Sequence, residues 1–192
     1  MNAVTLDPAF VSQAAFRAAM DCFARPGDIR TLSAAAPSPL APASAALIAC
    51  LADYETPVWL DDTLAGAPAV AEWIRFQTGA PICAEPGVCA FALIGDSAAM
   101  PAFTDFAQGS EEYPDRSATV IVQVDRFAGD GFDLQGPGIK GTRHISAEPL
   151  PVDFAARLRA NRDLFPRGID LILVAADKVL ALPRSVRLAE DV

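Results

Sequence analysis

The residue types able to do covalent or acid–base chemistry are few in this chain, and they lie far apart. One imidazole, His144, is available for every role that needs one. A nucleophile–histidine–carboxylate triad requires that ring beside a serine or cysteine. His144 instead falls in an extended segment, Arg143–Ala147, and no G-x-S-x-G elbow occurs. It reads as a structural or surface histidine. The four cysteines, Cys22, Cys50, Cys83 and Cys89, contain no C-x-x-C pair. Zinc draws its ligands from closely spaced Cys and His pairs, so no metal site is expected, and the sulfurs read as small buried hydrophobes. A disulfide framework is not expected in a chain of this length with so few cysteines. Schiff-base chemistry needs a lysine nucleophile, and only Lys140 and Lys178 exist, Lys178 at a turn where a solvated charge is expected. Paired carboxylates occur at Asp53 with Glu55, at Asp61-Asp62 and at Glu111-Glu112. Each pair adjoins a turn signal and reads as solvated.

Arginine and glycine remain. Arg25, Arg75, Arg116, Arg162, Arg167 and Arg184 all fall near element ends or turns. A guanidinium fork suits phosphates and carboxylates, although surface pairing and capping are its commoner uses. The run from Gly136 to Thr142 holds glycines, Lys140 and Thr142, but not in the order G-x-x-x-x-G-K-[ST], and it lies between strands rather than between a strand and a helix. It reads as a tight turn that uses glycine for positive φ. Arg184 follows Pro183 at a strand end with no evident packing role. Its fork could hold a partner's carboxylate or carbonyl, or a ligand phosphate. Its removal is expected to leave the fold intact. The candidate ligand- or partner-binding residues are therefore Arg25, Arg75, Gly136, Gly138 and Arg184. No catalytic residue is assigned.

The elements that must position these residues follow from periodicity and breakers. Asp7-Pro8 starts a helix with an N-cap carboxylate and proline at the first helical position. Phe16, Met20 and Phe23 recur at helical spacing before Pro26-Gly27. Asp28–Leu32 reads as a short strand, Ala43–Asp53 as a helix apolar on all sides, and Pro57–Leu60 as a strand. Ala69–Gln77 reads as a helix with Trp73 and Phe76 inward. Val88–Gly95 is a buried strand, and Ser97–Gln108 a helix carrying Phe103 and Phe106. Ser117–Asp125 is the strongest strand signal, rich in β-branched residues. With a turn at Phe127–Gly131 and a return strand at Phe132–Gln135, it is expected to form an antiparallel hairpin. Val152–Asn161 is an amphipathic helix, Gly168–Ala175 a buried strand, and Val179–Leu182 its return after Ala176-Asp177. Hairpins mixed with crossovers imply an α/β fold with a mixed sheet covered by helices.

Length and composition set the outer limits. A chain of 192 residues is one domain by size, and its 52% hydrophobic residues allow folded structure nearly throughout. The formal charge of -9, without any basic run, argues against tracking a nucleic-acid backbone. No leader-like pattern occupies the first ten residues. The uncharged stretch from Thr31 to Ala52 is interrupted by Pro37, Pro39 and Pro42, and its remainder is too short to cross about 30 Å of hydrocarbon. A cytoplasmic location is expected.

Six blocks then add a resemblance. They are Phe16-Arg17 through Met20 with Ala24-Arg25-Pro26-Gly27; Asp53 to Leu60; Arg75 to Pro81; Ser117 to Ile121; Leu134 to Ile139; and Phe165 to Leu171 with Ala181 to Arg184. In this order, over nearly the whole chain, they resemble the PhnH family of the bacterial carbon–phosphorus lyase system. The chain departs from the pattern at Ser185-Val186, where threonines are expected. The resemblance implies phosphonate utilisation. PhnG, PhnH, PhnI and PhnL displace adenine from ATP with a phosphonate, giving ribose 1-phosphonate 5-triphosphate, and PhnJ later breaks the carbon–phosphorus bond. It implies a core complex with PhnG, PhnI and PhnJ, two copies of each, hence a homodimer of this chain. The apolar segment Pro81–Gly95 is one candidate for its interface. Contact of this chain with a phosphonate or nucleotide is also implied. It also implies a three-layer fold, a mixed sheet flanked by helices, similar to pyridoxal-phosphate-dependent transferases but without that cofactor. The other reading is a stand-alone small-molecule enzyme of degenerate pyridoxal type. The lack of a triad, a Cys/His cluster or spare lysines favours the subunit.

Overall fold

Chain order runs α1 (Pro8–Ala24), β1 (Arg30–Thr31), α2 (Pro42–Leu51), β2 (Val58–Leu60), α3 (Asp62–Ala65), α4 (Pro68–Thr78), β3 (Phe91–Ile94), β4 (Thr119–Gln123), β5 (Arg126–Gln135), β6 (Arg143–Glu148), α5 (Phe154–Asp163), β7 (Asp170–Ala175), β8 (Lys178–Leu182) and β9 (Arg187–Leu188). The computed structural model describes residues 8–189. Six strands form one mixed sheet in the order β1-β8-β7-β4-β3-β2. β2, β3, β4 and β7 are parallel, β8 returns antiparallel to β7, and β1 runs antiparallel to β8.

Strand alternation sorts the core into two halves. Leu93, Ile121, Ile172 and Val174 point to one face, where α1, α2 and α4 supply Ala19, Leu47, Val70 and Ile74. Ala92, Ile94, Val120, Val122, Leu171 and Leu173 point to the other. That second face is covered by short 3-10 turns, by α5, and by a three-stranded sheet ordered β6-β5-β9. The result is a three-layer α/β architecture around a mixed sheet, with a small sheet taking much of the layer expected to be helical. α2 is buried on most sides from Ala43 to Ile48, as its composition requires. α4 starts on Pro68 and ends on Gly79 at φ 75°, a left-handed cap whose N–H reaches the Arg75 carbonyl.

Several expectations are corrected. Ser97–Gln108 is no helix: it holds two single turns, Ser97–Ala99 and Phe103–Asp105. Pro101 between them lacks the N–H a helix needs and crowds the preceding turn. Phe103 and Phe106 are still buried. β4 forms no hairpin with β5, because β3 and β7 take both of its edges. The glycines of Phe127–Gly131 sit in an irregular stretch of β5, which pairs with β6 and β9. On α1, Ala15, Ala19 and Cys22 face inward, while Phe16 and Met20 are 50% and 42% exposed. On α4, Val70 and Ile74 face inward, and Phe76 is 85% exposed. Small residues let α1 lie close to its neighbours, and size alone misleads about facing. Within Pro81–Gly95 the strand residues Ala92, Leu93 and Ile94 are core, leaving Val88 as its large exposed apolar side chain. Asp7, the expected N-cap, lies outside the described residues. Among the described residues no helix is long and apolar enough to cross a membrane.

Candidate functional site

Three loops meet where β8 ends and β7 begins. The first is Ala24-Arg25-Pro26-Gly27, which closes α1. Gly27 stands at φ 84° and donates its N–H to the Ala181 carbonyl of β8 at 3.4 Å. The second is the β5–β6 turn, with Gly136 at φ 147° and Gly138 at φ 82°. The third is Pro183–Val186 after β8. Side chains are excluded where these loops touch. A Cβ on Gly138 would stand 2.2 Å from the Ala24 carbonyl oxygen, and one on Gly136 3.2 Å from the Ser185 oxygen. One on Gly27 would stand 2.7 Å from Cγ of Arg143. The seam is tied by charge as well: Arg143 pairs with Asp28 at 3.0 Å.

The candidate residues divide accordingly. Arg25, Gly136 and Gly138 come together at this seam, with the Arg25 side chain exposed. Arg184 is next to Ser185 in the chain, but its fork points away. Its Nε donates to Oδ1 of Asp170 at 3.2 Å, one terminal nitrogen is engaged with Oδ2 of Asp170, and the other donates to the Pro114 carbonyl at 2.6 Å. Its backbone N–H also reaches Asp170 Oδ1 at 2.8 Å. The packing reason missing from the sequence is therefore plain. Arg184 clamps the start of β7 to the Pro114–Arg116 turn, with its side chain only 15% exposed. Arg75 does not join the group. It lies exposed in the last turn of α4, a helix packed on α2 and α3 beside the β2 edge of the sheet.

Open parallel sheets bind ligands beyond the carboxyl ends of their strands. Here those ends are occupied by the chain itself. Asp61, buried at the end of β2, accepts from Leu64 N at 3.0 Å and from Gly95 N and Asp96 N at 2.8 Å each. Its carboxylate takes the pair of amides, at the end of β3, that an anion would use. Gln123, ending β4, binds Ala41 N at 2.6 Å and Pro39 O at 3.1 Å. Asp61, expected as a solvated carboxylate, is thus a buried cap. Its burial follows from amides contributed by a strand 30-odd residues on, which local sequence does not display.

One constellation was missed. β5 and β6 align Asp133 with His144, and Nδ1 of His144 lies 2.9 Å from Asp133 Oδ1. Both side chains are more than half exposed. They line a cavity of about 190 Å³ together with Gly131, Arg159 of α5, and Leu188 and Ala189 of the β9 segment. The Gly136-Pro137-Gly138 turn between two extended segments is the sequence signal for this register, and the expected β4–β5 hairpin obscures it. Three of the four thiols are held toward the neutral form by burial. Burial pushes Cys22 up to about 11 and Cys89 up to about 12, and it raises Cys83 as well. Lys140 and Lys178 are exposed. Among the described residues no group of three or more His, Cys, Asp or Glu is placed to hold a metal.

A protein of Rhizobium meliloti (strain 1021), α-D-ribose 1-methylphosphonate 5-triphosphate synthase subunit PhnH, is 47% identical over 189 residues, which cover 96% of this chain and 94% of that protein. A putative C-P lyase subunit protein, HtxG, of Stutzerimonas stutzeri is 35% identical over 81 residues, 42% of each chain. The family described as bacterial phosphonate metabolism protein (PhnH) matches residues 4–189. With its glycine-lined seam and its mixed sheet in place, the chain belongs to the PhnH family.

Proposed function

We propose that this chain is the PhnH subunit of an α-D-ribose 1-methylphosphonate 5-triphosphate synthase, working beside PhnG, PhnI and PhnJ in a carbon–phosphorus lyase core complex. The 47% identity to the Rhizobium meliloti subunit, across 96% of this chain, carries the reading. The use of charged groups supports it. Asp61 and Gln123 close the carboxyl edge of the sheet from within, and Arg184 is spent on Asp170. Such a chain is suited to contribute surfaces and a few side chains to a shared site. The reading covers one domain over residues 1–192, a cytoplasmic location, a two-fold pair of this chain within the complex, and contact with a phosphonate or nucleotide in the assembly. It also covers an architecture similar to pyridoxal-phosphate-dependent transferases without their cofactor, in keeping with two exposed lysines.

The test is complementation of a strain lacking its own PhnH, with methylphosphonate as sole phosphorus source, alongside affinity capture of PhnG and PhnI. Growth with recovery of the complex is expected. Turnover of ATP and methylphosphonate by the isolated chain would overturn the subunit reading in favour of a stand-alone enzyme.

A further inference from the structure

The cavity between the β5–β6 hairpin, α5 and the β9 segment combines features that a surface ion pair does not need. Arg159 enters it from α5. Among the described residues no carboxylate pairs with Arg159, a property it shares with Arg25, Arg75 and other arginines; what sets it apart is its place in a cavity with His144. In a chain of formal charge -9, a lining guanidinium left unpaired keeps its fork available for an incoming anion. His144 stands beside it with one nitrogen already committed. Asp133 at 2.9 Å holds Nδ1–H, which fixes the tautomer and ring orientation and leaves Nε2 for a ligand. The ring is accommodated by Gly131. A Cβ there would stand 2.7 Å from His144 Nε2 and 2.1 Å from the Ile145 oxygen. Glycine is what lets the ring lie this close to β5, and the His144 side chain remains more than half exposed. Leu188 and Ala189 give the cavity an apolar wall.

We infer that this cavity is an oxyanion site. Arg159 binds the anion by paired N–H donors, and His144, its Nδ1–H held by Asp133, accepts at Nε2 the P–OH proton of the monoprotonated anion. At about 190 Å³ the space lies below the range of about 300–1,000 Å³ used by whole small-molecule ligands, so it fits a tetrahedral headgroup rather than a nucleotide. The ligand class is a phosphorus oxyanion, a phosphonate or a phosphate monoester; this choice rests on the subunit reading above, while the oxyanion chemistry rests on the geometry.

The full chain, free of any histidine tag and labelled with nitrogen-15, gives one imidazole pattern because it has one histidine. It is titrated separately with methylphosphonate, ribose 5-phosphate and sulfate. A saturable shift of the Nε2 resonance is expected with a phosphorus oxyanion. Saturation by methylphosphonate alone assigns a phosphonate, and by ribose 5-phosphate alone a phosphate monoester. Arg159→Gln should weaken binding at least tenfold with an unchanged thermal melt, and Asp133→Asn should weaken it while altering the tautomer pattern. An unmoved ring signal at millimolar probe, equal saturation by sulfate, or full affinity in Arg159→Gln would overturn the inference. Wild-type chain that captures PhnG and PhnI yet gives no ring shift sinks this site and leaves the subunit reading. A ring shift without capture or complementation does the reverse.

Discussion

Arg184 shows how a side chain that looks spare in sequence is consumed in the fold. Its fork and backbone N–H together satisfy both oxygens of Asp170, and the pair is mostly shielded from water. Removing one partner of such a pair strands the other. Arg184→Ala is therefore expected to destabilise by about 2–3 kcal/mol, somewhat less than for a fully buried pair. Arg184→Lys should recover only part, since an ammonium lacks the planar fork. Urea denaturation checks both, and a wild-type midpoint for the alanine variant would remove the clamp. The buried thiols give a second test at this scale. Cys22 and Cys89 ionise near their ordinary value of 9.0 when unfolded, but only toward about 11 and about 12 when folded. Above pH 9 the unfolded chain thus loses protons that the native chain keeps. Stability should hold up to about pH 9 and fall as pH rises toward the folded values. Urea midpoints between pH 8 and 11 should show this limb, and Cys89→Ala should flatten it.

At the level of elements, the loops are more exacting than the helices. Gly138 and Gly141 both adopt positive φ, 82° and 77°. A Cβ on Gly138 runs into the Ala24 carbonyl and Pro26, whereas one on Gly141 meets nothing within 4 Å. Gly141→Ala is expected to cost only left-handed backbone strain, about 1–2 kcal/mol. Gly138→Ala should cost more, because it also forces the β5–β6 turn off the end of α1. Thermal melts rank the two, and hydrogen exchange at Gly27 N–H, bonded to Ala181, should rise only in the Gly138 variant. Helix and strand existence was legible here: α2, α4, α5, β7 and β8 follow their periodicity and breakers. Facing was less so. Phe16, Met20 and Phe76 carry the apolar signal yet lie outside: on α1 alanines and Cys22 permit the closer approach on the inner side, and on α4 Val70 and Ile74 take the inner side. The β4–β5 connection failed for a different reason. Strand propensity says nothing about which edge is already taken, and both edges of β4 belong to parallel neighbours.

For the whole molecule, two layers of unlike composition grip one sheet, and several large apolar side chains remain outside. Tyr54 and Phe76 are 73% and 85% exposed, and Phe16 and Met20 line the outer side of α1. Exposed aromatics of this kind suit a chain that works among partners. Soluble homo-oligomers are most often two-fold. Light scattering of the isolated chain is expected to give twice the 20.2 kDa chain mass. A single-chain mass at micromolar concentration would remove the self-pair and leave only the assembly with other subunits.

By itself the sequence determined the class of fold, since alternating apolar runs and helical periods are local properties of neighbouring residues. It also displayed the seam's ingredients, because glycine at Gly27, Gly136 and Gly138 is required by backbone geometry that no other residue tolerates as well. Tertiary structure decided the rest. Asp61 is buried by amides from the end of β3, Arg184 is engaged by Asp170, and Asp133 reaches His144 only through the β5–β6 register. Each of these joins residues far apart in the chain. Their chemistry depends on distance in space, which residue types and spacing along the chain do not encode.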